Sequence, residues 1–248
     1  MYGYDTRIRY SECDGEEILK IESIIDHFQD IATVNSVDIG YRGRTMMEED
    51  HQAWVLSGWQ IDVSRYPEAY ENVRVVTVPY EFKGFIGNRN CGIVDEAGNF
   101  LVKANSIWAL MDMEKGRPVK VTPEMEAAYQ VGEKFDMEYA PRRIELPKEE
   151  GLVLEPVQVS KWQLDTLNHM NNGQHVRLAI SVLEDLDEDI KAGTKKALRP
   201  KRLRVEYKTQ AHLGDLMIPH VWNTEDGKIV SFMNEEGKIY STTEIKEN

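Results

Sequence analysis

The sequence predicts an α+β protein in which one unit is used twice, each copy a curved antiparallel sheet wrapped round a long central helix. Three observations carry this. Ile21, Ile24, Ile25, Phe28 and Ile31 in the first half, and Val176, Ala179, Ile180 and Leu183 in the second, fall at helical spacing. Each of these stretches is followed by a series of strand-like runs. Between the two series lies a polar, charged segment marked by Pro123, Pro141 and Pro147.

In chain order, Arg7 to Ser11 reads as a short strand, and the first helical stretch ends near Gly40. Strands follow over Ala53 to Val63, Val73 to Phe82, Gly87 to Asp95 and Phe100 to Asp112, with a hairpin turn at Asp95 to Asn99. Thr122 to Glu150 reads as a linker with a short helix. The second half opens with a strand over Leu154 to Ser160 and a helix from Asn171 to about Asp187. Strands then run over Leu203 to Thr209, Leu216 to Trp222, Lys228 to Met233 and Lys238 to Ile245. The domains expected are 1–130, a linker over 131–150, and 151–248.

Composition limits the function. The formal charge of −13 argues against general nucleic-acid binding. No apolar run approaches the roughly 20 residues needed to span a bilayer, and the N-terminus has no apolar signal-peptide core. Only Cys13 and Cys91 are present, so neither a disulfide framework nor a Cys-based metal site is expected, and a reducing cytoplasm fits. No metal or cofactor is expected.

The densest chemical signal is Asp165-Thr-Leu-Asn-His-Met-Asn-Asn172, directly ahead of the second helical stretch. A helix start offers unpaired backbone N–H groups and a positive dipole end, both suited to a developing oxyanion. Asp165 and His169 beside it suggest water-mediated attack on a carbonyl or thioester. The same residues also fit a purely structural role: Asn171 and Asn172 as helix caps, Asp165 closing a turn, and His169 as a hydrogen-bonded core residue. The corresponding place in the first half, Cys13 to Glu22, contains no His, so chemistry is expected in the second half.

The Asp-x-x-x-His-x-Asn-Asn pattern resembles the signature at the central helix of hotdog-fold thioesterases. Arg204 to Ala211, Ile25 to Ala32, Trp54 to Pro67 and Ala104 to Met111 are similar, in order, to stretches of the acyl-acyl-carrier-protein (acyl-ACP) thioesterases. The resemblance implies a tandem hotdog and hydrolysis of fatty acyl-ACP. The residues left for the chemistry, Asp165 and His169, point to direct attack by water without a covalent intermediate, with Asp165 deprotonating the water or orienting His169 to do so. Leu167 and Gln210 stand where the plant members have Asn and Glu, and Ala211 where they have Cys. The Cys position therefore supplies no thiol nucleophile. Gln210 cannot act as a base but can orient water, with Asn168, while amides near Asn171 and Asn172 complete an oxyanion site. Glu206, read as lying on the same strand face as Gln210, is a weaker candidate for a supporting acid.

The resemblance also implies that the first half shapes an acyl pocket, for which Ile24, Phe28, Ile31, Trp54, Trp59, Phe85, Trp108 and Met111 are candidates. The implied partner is an acidic acyl carrier protein, and a homodimer is compatible with the sequence. Lys195, Lys196, Arg199, Lys201 and Arg202 lie in a basic tract that offers a landing patch for it, or else form a solvated loop. An acyl-CoA thioesterase and a non-catalytic acyl-thioester binder are the alternatives.

Overall fold

The computed structural model describes residues 1–247. The first half comprises β1 (Tyr2–Arg7), α1 (Ile21–Asp38), α2 (Gly43–Asp50), β2 (Gln52–Val63), β3 (Asn72–Lys83), β4 (Ile86–Val94), β5 (Phe100–Asp112), β6 (Arg117–Pro118) and α3 (Pro123–Tyr129). The second comprises β7 (Leu152–Val153), β8 (Val157–Gln158), α4 (Asn172–Leu186), α5 (Glu188–Lys191), β9 (Arg202–Tyr207), β10 (Leu216–Asn223), β11 (Gly227–Met233) and β12 (Ile239–Lys246).

The strands join into one antiparallel sheet in the order β1-β3-β4-β5-β2-β9-β12-β11-β10-β7, with β6 on β5 and β8 on β10. The halves meet where β2 pairs with β9, from Gly58 opposite Glu206 to Asp62 opposite Arg202. Gly58 follows a bulge in β2, and a Cβ there would lie 2.5 Å from the Val205 carbonyl, so this seam closes only on glycine. One long helix per half against a continuous sheet is the tandem hotdog architecture.

The helical stripes read from the sequence form the core. Ile24, Ile25, Phe28 and Ile31 of α1 and Val176, Ala179 and Leu183 of α4 are fully buried. Each large side chain among them stabilises by roughly 1.5–3 kcal/mol. Residues 130–150 run as a strap over the opposite face of the sheet. Gln60 holds it through Nε2 to the Glu138 carbonyl (2.7 Å) and Oε1 from the Ala140 amide (2.8 Å). Asn90 accepts from the Phe135 amide at 3.0 Å, and Arg204 donates to the Arg143 carbonyl at 3.1 Å. The strap thereby satisfies polar side chains that the sheet would otherwise bury without partners.

Three elements differ from expectation. The first strand is Tyr2–Arg7, and Tyr10 to Glu12 form a 3-10 turn. Of the strand expected over Leu154 to Ser160 only β8 forms, with β7 just ahead of the range, because Pro156 between them has no N–H to offer the sheet. Helix α2 escaped notice because only Met46 of its eight residues is buried, leaving no apolar period to read. No helix among the described residues is long and apolar enough to cross a membrane.

Candidate active site

The motif forms a tight loop between a 3-10 turn and α4. Asp165 organises it: Oδ1 accepts from the amides of Leu167 (2.8 Å) and His169 (3.2 Å). The Asp165 amide donates to the His169 carbonyl at 2.8 Å, and the Asn168 amide to the Asp165 carbonyl at 3.1 Å. Asn168, exposed, makes the turn at φ 61°, a left-handed conformation that Asn tolerates well. Both bonds to the Asp165 carboxylate fall on Oδ1; no protein donor among the described residues reaches Oδ2. Asp165 thus holds the backbone of His169 rather than its ring.

The same loop occurs in the first half. Asp14 Oδ1 accepts from Glu16 (2.8 Å) and Ile18 (3.2 Å) amides, and Glu17 occupies the left-handed position at φ 62°. The Leu19 amide donates to the Pro67 carbonyl (2.9 Å), as the Met170 amide donates to Ala211 (2.8 Å). Asp14 therefore matches Asp165, and Ile18 matches His169. One contrast is electrostatic: Asp14 Oδ2 is taken by Arg199, at 3.1 Å from Nε.

Helix α4 begins at Asn172, capped by Asn171, whose Oδ1 accepts from the Gly173 amide at 2.8 Å. The Asn171 amide is itself committed to the Gln163 carbonyl (2.9 Å), so of the two asparagines expected at an oxyanion site only Asn172 has its amide free for that use. Asn172 donates through Nδ2 to Gln29 Oε1 (2.7 Å), and its carbonyl accepts from the Tyr207 hydroxyl (2.9 Å). Gln29 belongs to α1, so the first half reaches this helix start. Asp26, also on α1, lies so close that a Cβ on Gly173 would meet its Oδ1 at 2.7 Å. Loss of hydration against α4, and then nearby Asp30 and Glu22, push its pKa up to about 6. His175, one turn into α4 and bonded to Ser241 Oγ (3.0 Å), is held at a pKa of about 4 by burial.

The segment after β9 is stitched to the motif by the Ala211–Met170 bond, which brings exposed Gln210 beside the loop. His212 packs its ring edge-to-face on His169, with centroids 4.9 Å apart. His212 was missed in the sequence, although it directly follows the Gln210–Ala211 pair. Glu206 is corrected. It does not share a strand face with Gln210, which lies beyond the end of β9. Instead it points to the strap, where Oε2 accepts from the Ile144 amide (3.3 Å).

The structure pairs much of the basic tract internally. Lys195 pairs with Asp187 (3.1 Å) and Glu247 (2.6 Å), Arg199 with Asp14 and Glu16 (2.8 Å), and Arg202 with Asp62 and Glu138 (2.9 Å). Only Lys196 and Lys201 of the five point to solvent. The tract follows the far end of α4, roughly 20 Å of helix from the motif at 1.5 Å per residue. Three of its five charges are thus paired, and the tract lies away from the loop.

A cavity of about 840 Å³ lies between α1, α2 and the sheet of the first half. Its walls include Ala32, Met46, Trp54, Phe82, Trp108 and Tyr129, and the exposed motif residues Thr166 and Leu167 stand at its rim. Of the apolar set named from the sequence, Trp54 and Trp108 line it. Ile24, Phe28, Ile31 and Trp59 are core, while Phe85 and Met111 lie outside its lining. Arg89 is an unexpected polar wall, buried and donating from Nη1 to Asn35 Oδ1 (3.0 Å) and Thr77 Oγ1 (3.2 Å).

Comparison with known proteins identifies the family and the fold. The acyl-ACP thioesterase N-terminal domain model matches residues 1–129. An acyl-[acyl-carrier-protein] hydrolase of Cuphea viscosissima is 29% identical over 129 residues, covering 48% of this chain and 30% of that protein. An oleoyl-acyl carrier protein thioesterase of Arabidopsis thaliana is 23% identical over 206 residues, covering 74% and 54%. The chain thus spans about half or less of these curated relatives. An acyl-ACP thioesterase structure from Bacteroides thetaiotaomicron superposes with a TM-score of 0.84 at 18% identity, covering 99% and 96% of the two chains. A 12:0-ACP thioesterase from Umbellularia californica gives 0.80 at 15%, with the same coverage. The structures share the fold from end to end and the family model takes in the whole first half: the chain belongs to the acyl-ACP thioesterase family.

Proposed function

We propose that the protein hydrolyses the thioester of a fatty acyl group carried on acyl carrier protein, releasing the fatty acid and the free carrier thiol. The observation that carries this reading is the cavity whose rim is formed by Thr166 and Leu167, inside the motif itself. An acyl chain lying in it would put its thioester carbonyl beside Asp165, His169 and the start of α4. The free Oδ2 of Asp165 holds the attacking water and takes its proton. Water oxygen adds to the carbonyl carbon, and the Asn172 amide at the positive end of α4 stabilises the oxyanion. The carbon–sulfur bond then breaks, and His169 delivers a proton to the departing thiolate. Gln210 orients the water. Two unpaired cysteines fit a reducing compartment, and we take the cytoplasm as the place of action.

The test is release of thiol and fatty acid from acyl-ACP and acyl-CoA panels of stepped chain length, with the wild type beside Asp165→Asn. Release from the carrier-protein thioesters, reduced about 10²–10⁴-fold in the variant, is expected. Release from acyl-CoA alone would move the substrate class. Turnover unchanged by Asp165→Asn would overturn the assigned base.

A further inference from the structure

We infer that Gln29 and Tyr207 are positioning residues that hold the Asn172 amide where the oxyanion forms. This rests on the hydrolysis proposed above. Asn172 is gripped on two sides. Its side chain donates to Gln29 Oε1 at 2.7 Å, and its carbonyl accepts from the Tyr207 hydroxyl at 2.9 Å. Gln29 also brings Nε2 to 3.5 Å from Asn171 Oδ1, so one side chain of the first half spans both asparagines. The Tyr207 ring is itself fixed by the edge of His175, with centroids 5.6 Å apart. Burial raises the Tyr207 pKa well above its usual value, so the phenol keeps its proton and goes on donating. The amide that stays free is thereby set on a rigid mount, which is what stabilisation of a developing charge requires.

The first half supplies the internal control. Counting along the chain from the matched Leu19–Pro67 and Met170–Ala211 bonds puts Ile21 at the place of Asn172, Val63 at that of Tyr207 and Ile180 at that of Gln29. All three are apolar there, and the backbone of the loop keeps the same hydrogen bonds. The fold therefore does not need the polar trio, three partly buried side chains tied together by direct hydrogen bonds. The trio occurs only at the helix start that carries His169.

Tyr207→Phe removes one oxygen, and Gln29→Leu gives that position the polarity of Ile180. Each should lower kcat on acyl-ACP by about 10- to 100-fold, less than the loss of an oxyanion donor itself, with KM within about twofold. Affinity for an acyl trifluoromethyl ketone, which presents an oxyanion, should fall by the same factor. Affinity for the matching alkyl thioether, which has no carbonyl oxygen, should not move. Folded variants with wild-type kcat, or ketone and thioether affinities that fall together, would overturn the inference while leaving hydrolysis intact. A wild type that cleaves no thioester would overturn the proposed activity, and the ketone–thioether comparison would still decide the role of Gln29 and Tyr207.

Discussion

The loops at residues 9–20 and 160–171 share their backbone bonds almost one for one and yet differ in the side chains set around them. Asp14 and Asp165 make the same two amide contacts, so the aspartate of the motif is first a loop-forming residue. What separates the two loops is the rest of their surroundings. Arg199 closes off the outer oxygen of Asp14, whereas that of Asp165 stays open. Ile18 stands for His169, and an apolar helix start stands for Asn172 with its partners. The motif thus divides into residues that shape the turn, Asp165 and Asn168, and residues to which the proposed hydrolysis assigns chemistry, with Asp165 in both groups.

A matched pair of substitutions tests that division most severely. Asp165→Asn and Asp14→Asn both keep Oδ1, so both loops should form. The first should cost about 10²–10⁴ in kcat, whereas the second should leave turnover within about twofold and cost roughly 1 kcal/mol through its Arg199 pair. Equal losses of activity would erase the distinction; urea melts and thiol release on the same preparations report both quantities.

The helices differ next. His175 occupies the position that Ile24 holds in α1, and only His175 titrates. Its folded pKa of about 4 lies below the ordinary 6.5 of a free imidazole, so its contribution to stability is complete above pH 6.5 and is lost as pH falls through 4. The loss should approach about 3 kcal/mol at pH 4. His175→Leu, which copies the apolar character of Ile24, should flatten the stability profile between those values. An unchanged slope would show that another group governs the acid limb.

The smallest effect concerns the basic tract. Lys196→Glu with Lys201→Glu removes its two solvent-facing lysines and should change kcat/KM on acyl-ACP by less than about twofold, because the tract lies far from the motif. A tenfold fall that deepens at low salt would restore the tract as a docking surface.

Much of this was legible in the letters. The two central helices were visible because Ile24, Phe28 and Ile31, and Val176, Ala179 and Leu183, repeat at the spacing of a buried stripe. The motif was visible because its residues are close in sequence. What stayed hidden depends on distance or on parity. Gln29 looks like any polar residue of an amphipathic helix until Asn172, 143 positions away, is set against it. Glu206 and Tyr207 are neighbours in sequence, yet one faces the strap and the other α4; only the register of β9 decides which is which. The pairing of Arg199 and Arg202 was hidden because their counter-charges, Asp14, Asp62 and Glu138, lie in other parts of the chain.

The seam between β2 and β9 gives the molecule a freedom that two separate, identical chains would lack. In a symmetric pair every substitution is made twice, so a residue that improves one loop must be tolerated in its mate. Here the two copies are written independently along one chain. A guanidinium can occupy one loop while the other keeps an open carboxylate oxygen, and a large cavity can be carved behind α1 without asking the same of α4. Asymmetry of this kind allows selection to tune the cavity behind α1 and the open loop before α4 as separate traits.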